Sequence, residues 1–340
     1  MIPQKKFFRV LILFLILTVC IPFSVFAQRR KVVLKIASLV PENTAWGQAL
    51  NAMSREWSTA TNGNVELVIY HGGIVGEEAD VVRKLRLNQI QGAVLTSLGI
   101  NLISPDVMSL SAPFLIRNDE ELTLALDTFK PELDANISKA GFYMLAWAKA
   151  GWVRIFSRNS VLVPADLKRQ KVAAPPTTPE LIQAFKTMGY QVVPLGYNDM
   201  LVGLNSGAID AVYLSPVYVG ALQLFGTAKH MTTLNLAPIL GSIVLNQRGW
   251  RAVPDEYKPR LIEITRNIER NISSSIQSLE NDAIKTMINY GLITHDINAS
   301  QEQLWYADME RALPSLLGTT FDRNLYNRIG ALLQRYRTGQ

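Results

Sequence analysis

Cysteine is all but missing from this 340-residue chain: there is one, Cys20, with no second to pair with. It lies in an apolar run near the N-terminus. The remainder therefore has neither a thiol nucleophile nor a disulfide, and burial alone must hold it together. Histidine is nearly as scarce. His71, His230 and His295 are scattered along the chain with none at metal-ligand spacing, so each is expected at a strand end or facing solvent. No Gly-x-Ser-x-Gly elbow occurs. Basic runs are short, Arg29-Arg30-Lys31 being the longest, which is no nucleic-acid footprint. Beyond residue 27 no apolar segment is long enough to cross a bilayer. These absences argue against an enzyme, a bound metal or other cofactor, and a nucleic-acid partner.

The first 27 residues are of another kind. Lys5, Lys6 and Arg9 precede an apolar run from Val10 to Phe26, and Val25-Phe26-Ala27 puts small side chains where a signal peptidase inspects them. The pattern predicts a cleaved export signal over 1–27 and a periplasmic protein. A retained membrane anchor and a lipoprotein attached through Cys20 are the other readings, although Val19 is large for the residue before a lipidated Cys. Cleavage removes three cations and no anions, so net charge falls from +6 to +3, with 31 basic and 28 acidic residues.

Beyond the export signal the chain is rhythmic. Val32 to Ser38 and Val65 to Tyr70 read as strands, separated by a helix from Trp46 to about Thr59 with Asn43 or Thr44 as its cap. The turn Gly72-Gly73-Ile74-Val75-Gly76 opens a helix from Glu77 to about Leu87. It lacks the Gly-x-Gly-x-x-Gly register of a dinucleotide cradle. Gly92 to Ser97 is a buried-strand candidate. A helix from Asn118 to about Lys139 precedes a long strand, Phe142 to Ser157, broken near Gly151. A second βα series then runs through Lys171 to Ala174, a helix from Thr178 to Met188, Gln191 to Pro194, a helix from Asn198 to Asn205, and Ala211 to Leu214. Leu261, Ile264, Ile268, Ile272, Ile276 and Leu279 mark one face of a long helix from Asp255 to about Tyr290. Two helices close the chain, near Ser300 to Leu317 and Phe321 to Tyr336. Two α/β cores in series with a helical strut across both are predicted.

Several segments resemble the solute-binding proteins of tripartite ATP-independent periplasmic (TRAP) transporters, of the dicarboxylate-binding type. They are Tyr70 to Glu78, Leu110-Ser111-Ala112-Pro113-Phe114, Val163 to Pro175, Asn198 to Pro216, Lys229 to Leu234, Asn246 to Trp250 and Val253-Pro254-Asp255-Glu256. The last three resemble a strand, a strand and a helix start. The resemblance runs from about residue 33 to 295, and its strength lies in the order and spacing of the pieces. It implies an α/β periplasmic-binding-protein fold whose two lobes close by a hinge. Lobe I would span 28–150 plus about 240–275, and lobe II 151–239 plus about 276–340 with the C-terminal helices. It also implies partners: a small-molecule ligand, integral-membrane TRAP subunits and, as in some relatives, a periplasmic helical-repeat (TPR) protein.

Departures from that family shape the ligand expectation. In the family an Arg in the strand matching Lys171 to Ala174 clamps the ligand carboxylate with two prongs; the matching residue here is Ala173. A family Asn is matched by Ser215, beside Tyr213 and Leu214. A second family Arg falls on Val153 by ungapped counting and on Arg154 with one gap. Loss of the main clamp removes about 2–5 kcal/mol from carboxylate binding, and apolar walls replace it. A mostly hydrophobic or weakly polar ligand is therefore expected. Strand ends facing the cleft add Leu39, Pro41, Trp46, Glu77, Thr96, Ser97, Trp152 and Tyr197 as contacts, with a core role the alternative for Trp46 and Tyr197. Two other functions fit the resemblance: an organic-acid binder using Arg154, and a docking protein for the TPR partner.

Overall fold

The computed structural model describes residues 31–176 and 179–339. The expected export signal, Cys20 included, lies outside them, as does Thr178. Branched side chains make Val32–Ser38 (β1) and Val65–Tyr70 (β2) a parallel pair, in register from Val32 opposite Val65 to Ala37 opposite Tyr70. Ala45–Ala60 (α1) links them, starting where Thr44 Oγ1 accepts a hydrogen bond from Gly47 N, so Thr44 is the cap. Glu78–Arg86 (α2) and Gly92–Thr96 (β3) complete the unit, with β3 on the other side of β1. Ser97–Asn101 (α3) and Asp119–Lys139 (α4) come next.

The pivotal element is Phe142–Ser157 (β4), sixteen residues long. The second βα series packs beside its end: Pro164–Lys168 (α5), Lys171–Ala174 (β5), Pro179–Thr187 (α6), Gln191–Pro194 (β6), Met200–Ser206 (α7), Ala211–Leu214 (β7) and Pro216–Ala221 (α8). Two more strands are His230–Thr232 (β8) and Ala237–Asn246 (β9). The strand expected at Asn246 to Trp250 thus lies earlier. Asn246 instead caps Gln247–Ala252 (α9), its Oδ1 accepting from Gly249 N at 2.7 Å. Sheet order is β2-β1-β3-β9-β4-β7-β5-β6. The first part of β4 pairs with β9, and its last four residues pair with β7. The register breaks between Lys149 and Trp152, where Gly151 adopts φ +97°. One strand thereby belongs to two half-sheets, one per lobe.

Lys258–Asn289 (α10), 32 residues long, crosses both. Near its start Thr265 Oγ1 accepts from Trp57 Nε1 of α1 at 3.1 Å, and near its end Ala283 and Met287 lie against Gly220 of α8. Ile293–His295 (β10) pairs with β8. Ala299–Leu316 (α11) covers the second half-sheet with α6, burying Trp305 beside Ile155, Val172 and Tyr190. The last helix, Arg323–Thr338 (α12), turns back to α4: Leu325, Ile329 and Leu333 share a core with Leu122, Phe129 and Leu133, and Arg337 bonds Glu121 at 2.6 Å. The expectation that every C-terminal helix sits with lobe II fails for α12, because its apolar face matches α4. Burial of each such Leu or Ile stabilises by about 1.5–3 kcal/mol.

The second half-sheet has two distinct faces, as strand alternation requires. Phe156, Ala173 and Val212 pack among Met200, Leu204 and Val219 on the side of α7 and α8. Ile155, Val172 and Tyr213 point the other way, toward α6 and α11. Among the described residues no helix is long and apolar enough to cross a membrane.

Candidate functional site

In an open α/β sheet ligands bind beyond the carboxyl ends of the strands, and a cavity of about 310 Å³ lies there. Leu39 and Pro41 come after β1, Thr96 and Ser97 end and succeed β3, and Leu214 and Ser215 end and succeed β7. Trp46 comes from the first turn of α1, Tyr197 from the turn before α7, and Tyr213 from β7. All nine were expected contacts, and all nine line the cavity.

Four expected contacts do not. Ala173 is fully buried on the α7 side of its strand, while its neighbours Val172 and Ala174 face the cavity. Arg154 is one step from the wall residues Val153 and Ile155 and so lies on the opposite face, where burial lowers its pKa and the carboxylate of Glu280 opposes that fall. The Gly151 irregularity sets that parity, which sequence counting could not do. Trp152 is core: its backbone N donates to Glu280 Oε1 at 2.9 Å and its indole Nε1 to Asp119 Oδ1 at 3.0 Å. Glu77 bridges the lobes, its Oε1 accepting from Asn198 N at 3.3 Å.

Sequence reading missed a second set of walls. Leu181 and Phe185, four residues apart on α6, and Met188 just past its end join Val192, Trp305 and Met309 in extending the cavity under α11. The helical period of α6 carried that signal; the approach of α11, more than a hundred residues later, did not show in the sequence.

The cavity's chemistry is plain. None of its described lining residues is Lys, Arg or His. Lys171, the cation of the β5 strand, gives its Nζ to the Gly207 carbonyl. The acid in the wall, Asp308, is already bonded by Tyr190 Oη at 2.6 Å, Lys168 Nζ at 2.9 Å and Arg311. Burial pushes the Tyr213 hydroxyl up to about 12, and it also raises Tyr197 and Tyr218, with Glu77 and Glu78 adding to the effect on those two. All three remain neutral hydroxyls. Ser97 Oγ and Ser111 Oγ share a hydrogen bond of 2.6 Å, and Ser111 Oγ donates to Pro238 O at 3.1 Å. The indole Nε1–H of Trp46 is buried with no partner, an unmet donor.

The histidines are less scattered than expected. Pairing of β8 with β10 brings His230 Nδ1 to 2.8 Å from His295 Nε2, with the rings stacked. His71 Nε2 instead meets Asn51 Oδ1 at 3.0 Å. Among the described residues no group of three or more His, Cys, Asp or Glu is placed to hold a metal.

Two α/β lobes thus share crossing strands, are spanned by a strut and enclose an apolar cavity. The DctP profile, bacterial extracellular solute-binding protein family 7, matches residues 36–317, and the chain belongs to this family. A "solute-binding protein" of Verminephrobacter eiseniae is 26% identical over 56% of this chain and 57% of its own length, so the match spans little more than half of that relative. The 2,3-diketo-L-gulonate-binding periplasmic protein YiaO of Escherichia coli is 25% identical over 66% of this chain and 70% of its own. In three dimensions the chain resembles the TRAP periplasmic solute-binding protein of Sulfurospirillum deleyianum, solved with bound succinate. That likeness has a TM-score of 0.82 at 19% identity, covering 89% of this chain and 99% of the other.

Proposed function

We propose that this protein is the periplasmic binding subunit of a TRAP transporter, taking up a small, uncharged and mainly apolar molecule between its lobes and passing it to membrane subunits. The lobes keep the sequence boundaries except that α12 sides with lobe I, and β4 with β9 forms the hinge. The observation that carries the ligand reading is the cavity wall: its described residues include no cation, four tyrosines, one acid, Asp308, whose bonds are already made, and one unpaired indole N–H. An anionic ligand entering it would lose water without gaining a counter-charge. Acidic Glu77 and Glu78 nearby make that worse.

A second reading has its own support, since the Sulfurospirillum protein carries a dicarboxylate. An organic acid would here have to be held by hydroxyls and Trp46, because Arg154 faces α10. The helical-repeat partner draws on nothing in this geometry and is not carried forward. Native mass spectrometry of protein purified from its own host tests both. An apolar or neutral molecule released on unfolding is the expected result, and a stoichiometric dicarboxylate overturns the ligand reading.

A further inference from the structure

The cavity is longer than a compact ligand needs, and its shape comes from the sheet. Ile155 of β4 pairs with Tyr213 of β7, and Val172 of β5 pairs with Val192 of β6. All four line the cavity, so its floor crosses four adjacent strands. Three interstrand spacings make that row about 14 Å long. Phe185 of α6 and Met188 just after it, with Trp305 and Met309 of α11, roof it. Close packing is the rule inside proteins, and an unfilled apolar arm forfeits contacts that water cannot replace.

The two ends differ. At the interlobe end stands the buried, unpaired Trp46 Nε1–H. At the far end the polar group is Asp308, whose bonds to Tyr190, Lys168 and Arg311 leave it satisfied. The lobe junction thus carries the Tyr197 and Tyr218 hydroxyls beside the Trp46 indole, and the far end carries an acid whose bonds are already made. Resting on the apolar-ligand reading above, we propose that the ligand is a single-chain amphiphile. Its uncharged head, a hydroxyl or carbonyl, lies at the lobe junction among Trp46, Tyr197 and Tyr218, and its aliphatic tail runs across the second half-sheet beneath α6 and α11.

The test uses the full mature chain, stripped of co-purified lipid, titrated by calorimetry with decyl alcohol, butyl alcohol and succinate. Decyl alcohol should bind at least tenfold more tightly than butyl alcohol. Val192→Trp, which fills the far end of the arm, should erase that advantage. Met188→Trp serves the same purpose should the first variant fail to give a native melting transition. A crystal with decyl alcohol brominated at its far carbon should show the bromine beside Trp305 and Met309. Bromine in the interlobe cleft, or a decyl advantage that survives in a folded Val192→Trp protein, overturns the tail placement while the apolar-ligand reading stands. Binding of succinate with neither alcohol overturns both.

Discussion

Glu78 shows how one side chain couples the site to pH. It is 2% exposed, its Oε1 accepting from Thr96 N at 2.6 Å and its Oε2 from Thr96 Oγ1 at 2.9 Å. Burial outweighs those bonds and pushes the carboxyl up to about 7. Because the folded pKa exceeds the unfolded one, the native state binds the extra proton between them. Stability is therefore present in full at acid pH and is lost as pH climbs from about 4.5 to about 7. Chemical denaturation should show a loss of roughly 2–3 kcal/mol from pH 5 to 7.5, and Glu78→Gln should flatten that slope. A second pair of variants separates the faces of β5. Ala173→Arg forces a charge among Phe156, Met200 and Val219 and should destabilise by more than about 3 kcal/mol. Ala174→Arg points into the cavity and should leave a folded protein that gains affinity for succinate in calorimetry.

At the scale of elements, β4 is held in its double role by one glycine and one carboxylate. A Cβ at Gly151 would stand 2.2 Å from Glu280 Oε1, in a backbone conformation with φ +97°. Gly151→Ala should cost about 2–4 kcal/mol in thermal unfolding through strain and displacement of Glu280. Glu280→Ala leaves Trp152 N unpaired and Arg154 without its neighbouring charge, for a comparable loss. This element also marks what could be read from sequence. The branched run of β1, the Thr44 cap, the α10 stripe and the ends of β2, β4, β5 and β7 are set locally, and each was legible. Side-chain direction after Gly151 was not, because an irregularity of one residue reverses the parity that makes Val153 rather than Arg154 a wall. Strand-end residues such as Leu39, Thr96 and Ser97 could be assigned to the cleft because a parallel sheet fixes where its loops gather. The arm under α11 depends on Trp305 and Met309 arriving from far along the chain, and no local pattern encodes that meeting.

For the whole molecule the question is how the cavity shuts. The lobes touch where Glu77 Oε1 accepts from Asn198 N, and both surfaces there are unusually bare. A Cβ at Gly196 would lie 2.8 Å from Glu77 Oε1, and one at Gly73 would lie 3.0 Å from Asn198 Oδ1. Glycine at these points lets two backbones approach until a side chain of one can reach the other. Gly196 has an ordinary φ of −70°, so a larger residue there adds bulk without backbone strain. Gly196→Val should therefore fold with nearly unchanged stability while holding the lobes apart. A ligand trapped by closure leaves faster when closure is incomplete, so the effect belongs to dissociation rather than association. Stopped-flow displacement should show dissociation accelerated at least about tenfold, equivalent to about 1.4 kcal/mol of lost closure, with a larger radius of gyration in small-angle scattering of the ligand-saturated protein. Unchanged dissociation from a folded Gly196→Val protein would mean that closing at this contact does not retain the ligand, and the hinge would then have to act elsewhere along β4 and β9.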